Sequence, residues 1–101
     1  MSDKISPEGL KRLLDGSSSF ALIDVREAGE YNSSHIPGAS LMSRRQLELL
    51  MPQAVPFKGT PVIVCDDDGR RAQLAAATLE RLGYGQVSVL DGGINRWATH
   101  D

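Results

Sequence analysis

Three short stretches of this chain are apolar with almost no interruption: Phe20-Ala21-Leu22-Ile23, Val62-Ile63-Val64-Cys65 and Val87-Ser88-Val89-Leu90. Successive side chains of a strand point to opposite faces, so such runs are satisfied only in a sheet covered on both sides. The strands alternate with segments of helical spacing, the clearest running from about Arg70 to Leu82 and stopped by Gly83. Parallel neighbours need a crossover connection, usually a helix, so this order predicts an α/β fold with a mostly parallel sheet and helices on both faces.

Local signals fill in the rest. Ser6 followed by Pro7 and Glu8 reads as a helix start, with Leu10, Leu13 and Leu14 as the apolar face and Gly16 as the stop. Pro37-Gly38 marks a turn, and Leu47, Leu50 and Met51 give helical spacing to Ser43–Met51, which Pro52 and Pro56 are expected to end. A short last helix contains Trp97. With 101 residues, 41% of them hydrophobic, residues 1–101 are expected to form one domain around one core. In such sheets ligands are met at the C-terminal ends of strands, which singles out Asp24–Glu27 and Cys65–Arg71.

Composition removes several classes of function. A net charge of −2 gives no general attraction to nucleic acid or anionic membranes, so neither is expected as a partner. The first residues, MSDKISPEGLKRLL, lack the apolar core of a signal peptide, and a cytoplasmic location is expected. The single cysteine, Cys65, rules out an internal disulfide or a cysteine-built zinc site. An EF-hand reading of the Asp66-Asp67-Asp68 loop would need a ligand at Val64 and a glutamate where Ala75 stands, so no metal and no cofactor are expected.

Three motifs then occur in order. Leu22-Ile23-Asp24-Val25-Arg26-Glu27, Glu30-Tyr31 with His35-Ile36-Pro37-Gly38-Ala39, and Leu90-Asp91-Gly92-Gly93 with Trp97 resemble the motifs of the rhodanese (thiosulfate sulfurtransferase) family over nearly the whole chain. The resemblance implies a single rhodanese-like domain with a five-stranded sheet. It also implies an active-site loop made here of Asp66, Asp67, Asp68, Gly69, Arg70, Arg71 and Ala72, beside the strand end carrying Asp24 and Arg26. In the family that loop opens with the nucleophilic cysteine. Counting back from Gly69 and forward from Pro61 both put that position at Asp66.

The alternative makes Cys65 the nucleophile, with five residues between it and Arg71 as in the related dual-specificity phosphatases, which would give an active sulfurtransferase or a phosphatase- or arsenate-reductase-like enzyme. Strand alternation opposes it, because a shift of one residue sends the side chain into the opposite layer, although a bulge could undo that. With Asp66 in the position, the cycle the family performs has no thiolate to hold a persulfide. The carboxylate would instead offer the loop N–H groups a built-in anion, while Asp67 and Asp68 gain about 0.3–1 kcal/mol each from the following helix N-terminus and repel thiosulfate. The expected function is therefore an inactive rhodanese-homology domain that binds or regulates, or pairs with another rhodanese domain or a protein partner. Simpler roles stand beside these: Cys65 as a buried inert thiol, the aspartates as a helix cap, His35 as a turn residue and Trp97 as a core anchor.

Overall fold

The computed structural model describes residues 3–17 and 19–99. Along the chain lie β1 (Asp3–Ile5), α1 (Pro7–Asp15), β2 (Ala21–Asp24), α2 (Ala28–Ser33), β3 (Ser40–Leu41), α3 (Leu47–Ala54), β4 (Val62–Cys65), α4 (Arg70–Arg81), β5 (Val87–Leu90) and α5 (Gly93–Thr99). The strands form one sheet in the order β1-β5-β4-β2-β3. Every neighbouring pair is parallel.

The three apolar runs are the three central strands, as their composition requires. Side chains alternate between two layers: Ile23, Val62, Val64 and Val89 pack against Leu47, Met51, Ala72, Ala76 and Leu79 of α3 and α4. Leu22, Ile63, Cys65 and Leu90 pack on the other face against Leu10 of α1, with Tyr31, Ile94 and Trp97 partly buried beside them. Helix α1 starts where the sequence signals it, the Ser6 hydroxyl accepting the Gly9 N–H at 3.0 Å.

Helix α3 departs from the sequence reading at both ends. Residues 43–46 form a turn, and Pro52 does not stop the helix, which runs to Ala54. Pro52 is exposed, so its ring projects into water and only one backbone donor is lost. The buried Tyr84 hydroxyl lies 3.1 Å from the Met51 carbonyl and 2.6 Å from that of Val55, and the Val55 N–H donates to Met51 at 2.8 Å, which carries the last turn past the proline.

The register that matters for function joins β2 to β4. Asp24 is paired with Cys65, so Asp24 and the residue that follows Cys65, Asp66, emerge at the same edge of the sheet. Five strand-to-helix connections leave that edge, because every strand points the same way and each is followed by a helix.

Candidate functional site

Asp66 leaves β4 and has no solvent exposure. A buried carboxylate is costly unless its oxygens are hydrogen-bonded, and here the N-terminus of α4 supplies the donors. Oδ1 accepts the Gly69 N–H, while Oδ2 accepts the N–H of Arg71 at 2.7 Å and of Ala72 at 3.2 Å. Closing a loop this tightly requires φ of +103° at the residue before the helix, which is Gly69.

The loop is held from behind as well. The main-chain carbonyl of Asp66 accepts the Ile94 N–H at 2.8 Å and that of Asp67 accepts the Asn95 N–H at 3.0 Å, so the first turn of α5 is fastened to it. Gly93 makes this approach possible: its φ is +65°, and a Cβ there would lie 2.6 Å from the Asp68 nitrogen. Asp66 thus sits between two helix starts, its side chain facing one and its carbonyl the other.

Around this centre the charges are mostly paired. Arg71 forms two 2.9 Å hydrogen bonds with Glu30 of α2, reaches Asp67 at 3.1 Å, and stands 4.0 Å from Asp66. The Arg71 guanidinium, helped by the Glu27 N–H, lowers the Glu30 carboxyl from 4.5 to about 2. Asp68 accepts the Arg70 N–H at 3.0 Å. The Arg70 side chain is exposed and makes no ion pair with a described residue, whereas Ala72 is fully buried against the sheet. One oxygen each from Asp66, Asp67 and Asp68 lie within 4.8 Å of one another, but those of Asp66 are spent on the N–H groups, which leaves a weak donor set for a cation.

The neighbouring strand end is built differently. Asp24, unexposed, is gripped by the Arg26 guanidinium through Nε at 3.0 Å and Nη2 at 2.8 Å, and accepts the Arg26 N–H at 3.0 Å. Arg26 also donates to the Ser34 carbonyl at 2.6 Å. Beside this pair, Cys65 points into the layer of Leu10, Leu22 and Ile36 and has no exposure. Burial first, and then Asp24, push its thiol far above the ordinary cysteine range, the wrong direction for a nucleophile.

The structure therefore brings Asp24, Arg26 and residues 66–72 to one edge and turns Cys65 away into a packed layer. Two groups were not assigned to the loop by sequence reasoning. Glu30 appeared only as part of a motif, and its bond to Arg71 spans 41 positions, beyond any local signal. Gly93 appeared only as part of the C-terminal motif, and its contact with the loop depends on tertiary packing. His35 is exposed, just ahead of the Pro37-Gly38 turn, and stacked on Tyr31, and Trp97 is partly buried against the core.

Known proteins share this arrangement of strands and motifs. The chain is 33% identical over 100 residues to a sulfurtransferase of Allochromatium vinosum, covering 99% of this chain and 92% of that one. It is 29% identical to the putative sulfur carrier protein YrkF of Bacillus subtilis, covering 93% of this chain but only 50% of that protein. Among solved structures, thiosulfate sulfurtransferase from Pseudomonas aeruginosa superposes with a TM-score of 0.90 at 33% identity, over 96% of this chain and 18% of that one. The family model for the rhodanese-like domain matches residues 6–100, spanning strands β2 to β5 and both strand-end loops, and the chain belongs to that family.

Proposed function

We propose that this rhodanese-like domain does not carry sulfur and acts as a binding or regulatory module, or as one copy within a tandem sulfurtransferase. The observation that carries the reading is the Asp66 carboxylate, buried and holding the N–H groups of Gly69, Arg71 and Ala72. In sulfur transfer a thiolate attacks the outer sulfur of thiosulfate, an S–S bond forms and sulfite leaves with the electron pair. The resulting persulfide is an anion that needs such donors. A carboxylate in that position has no sulfur to accept, and it already satisfies the donors. Asp67, Asp68 and Glu30 add negative charge at the mouth, opposing a dianionic donor.

A paired role has a parallel in the lengths of some relatives, since the chain spans half of YrkF and less than a fifth of the Pseudomonas sulfurtransferase, while it spans 92% of the Allochromatium sulfurtransferase. The test is to incubate the native protein with thiosulfate and weigh it, with and without cyanide. The expected mass is unchanged, and Cys65 should resist alkylation until the protein unfolds. A sulfur adduct on Cys65 that cyanide removes would overturn the reading in favour of an active enzyme.

A further inference from the structure

On the flank of the loop away from Glu30, a pocket of about 120 Å³ opens between β1 and the first turn of α4. The two flanks are separated by strand order: Glu30 follows β2, on one side of β4, whereas β5 and then β1 lie on the other. Lys4 is paired in register with Val89, which packs in the same layer as α4, so the Lys4 side chain leaves β1 on that face. Arg70 and Gln73 are three positions apart on α4 and share a side of it. All three line the pocket, and neither Lys4 nor Arg70 forms an ion pair with a described residue.

Two acids line the pocket as well. Asp91 is matched by Arg96 at 2.6 Å, and Asp68 turns one oxygen to the Arg70 main-chain N–H at 3.0 Å. The balance left is two cations against one carboxylate. Like charges converging on one small space repel, and an anion between them turns that repulsion into two attractions. Pockets for cofactors and other drug-sized molecules run to about 300–1,000 Å³, so this one has room only for a small ion. Ammonium, guanidinium and amide donors reach it from two different elements, a spread that suits an anion with oxygens in several directions better than a planar carboxylate. We propose that this pocket binds a small tetrahedral oxyanion of the sulfate or phosphate class, held by Lys4, Arg70 and Gln73. The proposal stands whether or not Asp66 leaves the domain inactive, because it uses neither Asp66 nor Cys65.

Sulfate is the probe, because it stays dianionic across the working pH range. It is titrated into the isotope-labelled native chain at an ionic strength held constant with sodium chloride, and the amide NMR shifts are followed. Saturable shifts centred on Lys4, Arg70 and Gln73, half complete at about 1–10 mM, are expected. Lys4→Gln and Arg70→Gln should each weaken binding by ~5-fold. Arg44→Gln removes the same charge from an exposed residue on the β3 side and should leave binding unchanged. Asp68→Asn should tighten it by ~2-fold, since the opposing carboxylate is gone. The spectrum of each variant shows that it is folded. Shifts of the native chain that do not saturate overturn the proposal and leave Lys4 as a charge that keeps the edge strand β1 from pairing. Shifts centred elsewhere overturn it too, as does an equal loss of binding in Arg44→Gln.

Discussion

Asp24 and Asp66 are both unexposed carboxylates at the same sheet edge, yet they are stabilised in opposite ways. Asp24 depends on a partner side chain, the Arg26 guanidinium, whereas Asp66 depends on main-chain N–H groups at the start of α4. A guanidinium can be removed by one substitution and leaves a buried charge behind. Main-chain donors cannot be removed; if the carboxylate goes, they remain as a site for something else. The first arrangement makes a strut between β2 and α2, and the second makes a cradle that Asp66 fills.

The sharpest way to break the comparison is Arg26→Ala. Asp24 would then be buried without its counter-ion, and a loss of about 3–5 kcal/mol is expected in denaturant unfolding. Replacing both partners, Asp24→Asn with Arg26→Leu, should recover much of that loss, because the uncompensated charge is gone. Asp66→Asn is milder: the side chain keeps its shape but turns an NH2 group toward an N–H, costing about 1.5–3 kcal/mol by the same measurement. Should Asp66→Asn prove as damaging as Arg26→Ala, the two carboxylates would not differ as described.

The smallest effect belongs to the rim. Glu30 has its carboxyl lowered from 4.5 to about 2 by Arg71, so its contribution is complete above the unfolded value and is lost as pH falls from about 4.5 toward 2. The pair is more than a third exposed on the Glu30 side, so solvent screening limits it to about 0.5–1 kcal/mol. Glu30→Gln should cost about that amount at neutral pH, a difference from the native protein that shrinks as pH falls from about 4.5 toward 2, as measured by thermal unfolding at a series of pH values.

How much of this was legible beforehand depends on how local each signal is. Strands β2, β4 and β5 were readable because a doubly covered strand must be apolar throughout. Strands β1 and β3 carry no such mark: Asp3-Lys4-Ile5 and Ser40-Leu41 are short edge strands, made strands by pairing with Val89 and Ile23 rather than by composition. The burial of Cys65 followed from alternation along β4. The Asp66 loop was readable as a helix start, since the carboxylate and its donors lie within six positions. The Arg71–Glu30 bonds and the fastening of the loop by α5 were not, because both join elements far apart in the chain.

The central claim, that Asp66 occupies a cradle able to hold an anionic sulfur, is tested most directly by weighing Asp66→Cys after incubation with thiosulfate and mapping any adduct by peptide analysis. The expected result is one added sulfur on the introduced thiol, removable by cyanide, with the yield rising at higher salt and again when Asp67 and Asp68 are neutralised. A folded Asp66→Cys protein that takes up no sulfur even with those two aspartates neutralised, or that carries it on Cys65, would contradict the claim.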